Sequence, residues 1–509
     1  MNLLESARDA NRTVADYCIV YMTPVVDRPR LLATATKYTG APEPARHSLS
    51  QGKPMIHRSL ISGMLLAAVA AQPLMAGAVT PEEHLAWLKD NQAAKPQFID
   101  GDLITADKAD LIRPFIPIEY QPEVIFDGME MRIKDAGDLS PPEVYTKATS
   151  QFQSAVTLAA DGAIENYTAG QPFDPAKFQP GSKEDGSRLI WNFAYRWQND
   201  GLRIEEIHWV WVRKGGSHGN HEVMSDAKYK EYYQGGGTFE RVLTGPYQRA
   251  YFSHRADLAD TGYRIDDAFA KGTEFREYTG FTSPFDISGT AFLILRYEDP
   301  RKADDSWAYI PSLRRVRRIS VEVKSDSLLG TDHTLEDFYC FAGRPLEHNW
   351  EYVGTKDILA VARSRNTDTI FYGPNGMIPL DDWALRTTDV VKMVPKRESH
   401  PYSQKFLYVD RQSGECYYAN AFDKAGQLWK LWQLSKVWTE DPQYQQGGAK
   451  FKAQPTPVGT RMSSFQSINV IDVQNGRGTL VPCRGSSYPD TSLKDVKKVL
   501  DVNYLTEGR

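Results

Sequence analysis

The chain is expected to be an α+β protein built on one large, curved antiparallel sheet with helices packed against or plugging it. Three observations lead there. Beyond residue 200, alternating segments rich in β-branched and aromatic residues recur, and the shortest connections between them are hairpin turns. Consecutive strands joined so tightly must be antiparallel. Helical spacing is confined to the stretch before them, and aromatic residues make up 11% of the chain, which bulky pleated faces accommodate best.

The elements follow in order. Thr80 is placed as an N-cap, Pro81 at the first helical position and Glu82 and Glu83 in the first turn, which predicts a helix over 81–90. A second helix is predicted from Pro141-Pro142-Glu143 through Val144, Phe152, Val156 and Leu158, ending near Asp161-Gly162. Residues 168–188, rich in Gly, Pro, Lys and Asp, read as a long exposed loop. Strands are expected over 202–213, 292–298, 306–310, 315–324, 405–410, 415–422 and 427–434. The last three form hairpins that turn at Gln412-Ser413-Gly414 and at Asp423-Lys424-Ala425-Gly426. Such a curved sheet is expected to offer a concave apolar surface.

The N-terminal region carries an address instead of a fold. From Met55 the chain reads Ile56-His57-Arg58, an apolar run from Leu60 to Ala71, and Ala76-Gly77-Ala78. That is the pattern of a secretory signal with a small-residue cleavage site after Ala78. Residues 1–54 then read as a spurious upstream extension, 55–78 as the signal and 79–509 as a single large domain delivered to the periplasm. An uncleaved anchor fits less well, because the run is shorter than the roughly 20 residues a spanning helix needs. Removing eight basic and five acidic side chains with residues 1–78 shifts the formal charge from −5 to −8. A chain this acidic argues against nucleic acid as a partner. Cys340, Cys416 and Cys483 remain, enough for one disulfide and one spare thiol, at spacings too wide for a zinc ribbon.

The stretch Asp305-Ser306-Trp307-Ala308-Tyr309-Ile310-Pro311-Ser312-Leu313-Arg314-Arg315-Val316-Arg317-Arg318 argues for binding, not catalysis. A strand buried on both faces could not hold four guanidiniums, so this segment is expected at a sheet edge. Together with Asp326-Ser327, Gly330-Thr331-Asp332 and Glu336-Asp337-Phe338-Tyr339, and with Gly170-Gln171-Pro172-Phe173 and Trp191-Asn192 upstream, it resembles an uncharacterised family of secreted proteobacterial proteins related to the LolA and LolB lipoprotein-sorting fold. Asp174 departs from the second proline expected there. The resemblance covers essentially residues 80–509 and implies a half-open, LolA-like β-barrel closed by helices, with an apolar cavity for a lipid or other lipophilic cargo. It also implies membrane partners, an RND-type inner-membrane transporter and an outer-membrane β-barrel protein, and it supplies no catalytic residue, cofactor or metal.

Each candidate site has a plainer reading beside it. Trp307, Tyr309, Phe338, Tyr339, Trp209 and Trp211 are candidates to line the cavity, and Phe341 stands with them; aromatic residues in strands are also ordinary core. Arg314, Arg315, Arg317 and Arg318 suit an anionic head group or an acidic partner, unless Glu298, Asp299, Asp304, Asp305, Asp332, Glu336 and Asp337 pair with them. Gly215-Gly216-Ser217-His218-Gly219 matches a nucleophile elbow, with His254, His333 or His348 as a base, and makes a secreted serine hydrolase the alternative function. His218 and His221, near Glu222 and Asp226, have a spacing that suits two imidazoles on one metal but sit in a glycine-rich loop. Gly235-Gly236-Gly237 reads as a flexible turn without the lysine of a phosphate loop. A structural scaffold with a filled barrel is the third function considered.

Overall fold

The computed structural model describes residues 79–216, 231–320, 324–445, 459–482 and 493–507, all within one compact unit spanning Ala78–Arg509. The apolar run before Ala78, Ser217, His218, His221 and Cys483 lie outside them. Among the described residues no helix is long and apolar enough to cross a membrane.

Thirteen strands form one continuous antiparallel sheet: β1 Gly201–Arg213, β2 Thr238–Tyr251, β3 Thr273–Gly280, β4 Ala291–Tyr297, β5 Asp305–Ile310, β6 Arg315–Arg318, β7 His348–Ala360, β8 Asp382–Pro395, β9 Gln404–Asp410, β10 Cys416–Phe422, β11 Leu428–Trp438, β12 Ser463–Asp472 and β13 Arg477–Val481. Their spatial order is β7-β8-β9-β10-β11-β12-β13-β1-β2-β3-β4-β5-β6, two sequential meanders joined where β13 pairs with β1. A two-stranded ribbon, Leu103–Thr105 with Glu130–Ile133, attaches to the start of β8 and brings the strand count to fifteen. Among the described residues the sheet does not close, and β7 and β6 are its edges. The arginine-rich segment is therefore an edge strand, as charge alone required.

Helix α1, Pro81–Asp90, begins with the expected cap: Thr80 accepts from the Glu83 amide, and Glu83 accepts in return from the Thr80 amide. Helix α2, Glu143–Phe152, ends more than two turns before the Asp161-Gly162 its spacing predicts, since Thr157–Leu158 pairs as a short strand with Ile164–Glu165. The stretch read as an exposed loop is corrected more strongly. Phe173 and Phe178 are buried there, and helix α3, Lys183–Ala194, starts inside it behind a Ser182 cap. Gly186 obscured that helix in the sequence, and the fold explains why it is glycine: a Cβ at 186 would lie 2.5 Å from the Glu351 amide nitrogen of β7. Two C-terminal helices, α4 Leu493–Val499 and α5 Tyr504–Glu507, pack a smaller core with Tyr309, Leu293 and Tyr278 against β3 to β5.

Strands β9 to β12 are buried along almost their whole length, so the middle of the sheet is covered on both faces. One cover is N-terminal: His84 of α1 stacks on Phe406 with ring centroids 4.4 Å apart, and Tyr120 meets Tyr418 at 4.8 Å. The other is the strap of residues 324–347 between β6 and β7, which crosses the opposite face in short 3-10 turns. Alternation along the strands distinguishes the faces, because Phe406 and Tyr408 meet His84 while Lys405 meets the strap.

Candidate functional site

The face under the strap is charged, which corrects the expected apolar concavity. Lys405 of β9 and Lys430 and Lys436 of β11 point into it, as does Arg249 of β2. Ionic groups this deep need partners, and the strap and its surroundings supply them. Asp337 accepts from Lys405 Nζ at 2.6 Å and from the hydroxyls of Tyr402 and Thr334, both at 2.7 Å. Asp332 accepts from Arg477 Nε at 2.9 Å, and its carbonyl accepts from Lys430 at 2.8 Å. Lys324 pairs with Asp304, which also holds Arg296 at 3.0 Å. Burial pushes the Asp304 carboxyl up, but Arg296 and Lys324 outweigh it and hold the group well below the carboxylate range. Glu415 joins Arg196 at 3.0 Å to Lys436 at 2.5 Å, and Glu277 accepts from Arg249 Nε at 2.6 Å and from Tyr247 at 2.8 Å.

Glu336 takes one imidazole on each oxygen, His348 Nε2 at 2.8 Å and His400 Nε2 at 2.9 Å. His400 Nδ1 accepts from the Tyr402 amide at 3.1 Å, which fixes its proton on Nε2 as the donor to Glu336. Glu336, Glu347 and His348 lie close enough to share a metal ion, yet the carboxylate oxygens of Glu336 are already used by the imidazoles, and Glu347 pairs with Arg344 at 3.0 Å.

The predicted aromatic site residues are distributed over three places instead of one cavity. Phe338 and Tyr339 are buried in the strap, Phe338 between Tyr247 of β2 at 4.6 Å and Phe465 of β12 at 5.5 Å. The Tyr339 ring receives Arg249 at 5.0 Å and Arg196 at 5.1 Å. Tyr339 and Cys340 both hold positive φ, 60° and 74°, a strained pair that persists because the neighbours over-determine it. Phe341 belongs to the same layer, edge-on to Trp350 at 5.1 Å. Trp209 is buried against Phe281 at 5.0 Å, while Trp211 is half-buried beneath Gly330 of the strap. Trp307 and Tyr309 pack against the C-terminal helices. All six make packing contacts.

Of the arginines, Arg318 pairs with Asp305. The remaining acids expected to neutralise the cluster are engaged elsewhere: Glu298 by Arg264, Asp304 by Arg296 and Asp332 by Arg477. Arg314 and Arg315 are exposed and have no ion pair among the described residues. The Cys340 thiol lies against Cys416 and both are free and buried, not bridged; burial, then the Cys416 thiol, push Cys340 well above its ordinary value.

Strand β1 pairs antiparallel with β2 and with β13, whereas a nucleophile elbow needs a parallel strand leading into it. The histidines proposed as bases are committed too. His333 is buried and His254 half-buried, and both are driven down to about 4, chiefly by desolvation, while His348 serves Glu336. Gly235 and Gly236 are not a flexible turn: their backbones press on residues 373–376, where a Cβ would come within 2.4 and 1.9 Å of carbonyl oxygens.

A cleft of about 880 Å³ separates α3 and the 157–165 hairpin from the β7–β8 edge. Leu158, Leu346 and Trp350 contribute apolar surface, and Lys183, Lys392 and Lys396 contribute ammonium groups. Among the described residues Lys183 and Lys392 have no ion pair, and Lys396 donates to the Leu346 carbonyl at 3.0 Å. A smaller pocket of about 260 Å³ lies near Tyr145, Asn192 and Gly414. Sequence reasoning missed the cleft because its lining is scattered over some 240 residues on two strands and a helix it did not recognise.

The described residues thus form an α+β architecture: an open antiparallel sheet with an ionic face covered by its own chain and a cleft at one edge. The chain belongs to the family described as Protein of unknown function (DUF1329), whose pattern matches residues 133–498. An uncharacterized protein of Pseudomonas aeruginosa is 22% identical over 332 residues, 57% of this chain and 58% of the relative, so the match spans less than two thirds of that relative's length. Among solved structures, a domain from Vibrio parahaemolyticus described as an outer membrane lipoprotein-sorting protein overlaps 64% of this chain and 100% of its own at 16% identity and a TM-score of 0.39. A DUF1329 family protein from Desulfovibrio piger overlaps 63% and 98% at 15% identity and 0.39. A LolA superfamily protein from Nitrosomonas europaea overlaps 61% and 94% at 14% identity and 0.31.

Proposed function

We propose that the protein is a non-enzymatic periplasmic carrier or assembly factor that shields a lipophilic molecule with an anionic end and passes it between membrane partners. The observation that supports this best is the cleft beside α3. Its volume of about 880 Å³ falls in the range of preformed ligand sites, and its Leu158, Leu346 and Trp350 surface adjoins the lysines at 183, 392 and 396. An apolar chain laid on such a floor gains roughly 25 cal/mol for each Å² removed from water, and a phosphate or carboxylate finds free ammonium donors beside it. The location of the cargo thus moves from the sheet interior to its edge.

The sealed interior favours a second reading, a structural scaffold without cargo. One experiment separates the two: native mass spectrometry, with organic extraction, of protein purified from the periplasm of its host. The carrier reading expects a reproducible lipophile, lost in Leu346→Asp and bound roughly tenfold more weakly in Lys183→Glu/Lys392→Glu, with circular dichroism unchanged. An apo mass in every growth condition would leave the scaffold.

A further inference from the structure

The corner where the β3–β4 loop meets the β5–β6 turn carries a combination that neither the core nor the cleft uses. Phe285 at the loop tip is 97% exposed, and Leu313 in the turn is 38% exposed. The loop and the turn touch, since a Cβ on Gly289 would stand 3.2 Å from Pro311 Cγ. Next to them are Arg314 and Arg315, exposed and without an ion pair among the described residues. Among the described residues, Asp286 beside Phe285 is occupied by Arg241 at 2.5 Å, and Asp305 by Arg318.

We propose that this corner docks the protein on an anionic phospholipid surface, with Phe285 and Leu313 entering the headgroup boundary and Arg314 and Arg315 pairing with phosphates. Three arguments select this partner. A benzyl side chain presented whole to water, on a tip and not in a groove, is satisfied by a deformable apolar medium and less well by a rigid protein surface. Guanidiniums match phosphate oxygens with paired donors. The chain carries a formal charge of −5, so an anionic surface repels most of the molecule and attracts this corner, which fixes the orientation of approach. The corner is also preorganised, because Trp307, Tyr309 and Val316 of the same hairpin are packed against the C-terminal helices. The inference does not depend on the cleft or on any cargo.

The test is co-sedimentation of the purified protein with vesicles of phosphatidylethanolamine and phosphatidylglycerol, beside vesicles of phosphatidylcholine alone, at low and high salt. The wild type is expected to sediment with the anionic vesicles only. Phe285→Ser should weaken that partitioning about tenfold. Arg314→Gln/Arg315→Gln should weaken it about fivefold for each arginine and flatten its salt dependence. Both variants alter exposed side chains, and an unchanged thermal midpoint verifies that they fold. The proposal is overturned if either variant sediments like the wild type or if phosphatidylcholine binds equally well. Failure of the wild type to bind any vesicle also overturns it, and would assign the corner to an acidic protein surface.

Discussion

Replacing Lys405 with methionine tests whether the strap is part of the folded core or a removable lid. Lys405 is fully buried; its ammonium donates to Asp337 at 2.6 Å and to the Cys340 carbonyl at 2.5 Å, and stands 3.8 Å from the Trp432 ring centroid. Methionine keeps the apolar stem and removes the charge, leaving the Asp337 carboxylate buried with only the Tyr402 and Thr334 hydroxyls. Removing one member of a buried pair costs about 3–5 kcal/mol, because the remaining charge is left uncompensated. Asp337→Asn should cost a similar amount from the other side. Asp337→Asn/Lys405→Met should cost far less than the sum, since no isolated charge remains. Urea unfolding followed by tryptophan fluorescence measures all three. The sign with pH is also determined. Burial pushes the Asp337 carboxyl up, but Lys405 and the hydroxyls prevail and its net shift is downward. Its contribution is therefore complete above the unfolded value of about 4 and is lost as the pH falls below it. The gap between wild type and Asp337→Asn should narrow in that direction only. Single variants that each cost under about 1 kcal/mol, or a double variant equal to their sum, would refute the claim that these charges hold the strap down.

Two further outcomes follow from individual positions. Burial raises Glu274 to about 7, so the folded state holds its proton more tightly than the unfolded chain does. Stability should decline as the pH rises from about 4.5 to 7, by on the order of 3 kcal/mol, and Glu274→Gln should abolish that slope; parallel urea midpoints at pH 5 and 8 for the two proteins would count against it. Gly186→Ala would stabilise an open helix by about 1 kcal/mol, but with the Glu351 amide 2.5 Å from the new methyl it should instead lower the thermal midpoint, by an overpacking cost of about 1–3 kcal/mol. A raised midpoint would show that α3 does not press so closely on β7.

The sheet, its antiparallel pairing and its arginine edge were legible because they rest on local signals: alternation, turn residues and the impossibility of burying four guanidiniums. Strands β2, β3, β7, β8, β12 and β13 were not. Gly245-Pro246 inside β2 reads as a turn, and Gly354 sits at the bulge where β7 shifts register on β8. The interior was misread for a different reason. Lys430, Trp432 and Lys436 lie on one face of β11, and a lysine at alternate positions ordinarily marks a face turned to water. Here the strap, more than ninety residues upstream of Lys430 in the case of Asp332, covers that face, and no local pattern announces a cover so distant in sequence. Five of the residues that carried the family resemblance, Asp332, Glu336, Asp337, Phe338 and Tyr339, prove to be anchors of that cover.

That identity bears on what the fold is built to do. If the face beneath the strap were a cargo cavity, its lining would be apolar and its cover attached by contacts that are cheap to break. Instead Asp332, Glu336 and Asp337 join the strap to β7, β9, β11 and β13 through His348, Lys405, Lys430 and the half-buried Arg477, and lifting it would break these contacts together. Such a sheet is a rigid platform with its interior closed. Under the carrier function and the membrane docking proposed above, exchange with a lipophilic ligand and with a membrane is assigned to two margins of the sheet: the cleft at the β7–β8 edge and the Phe285 corner beside the β6 edge, where Lys183, Lys392, Arg314 and Arg315 stand in contact with solvent.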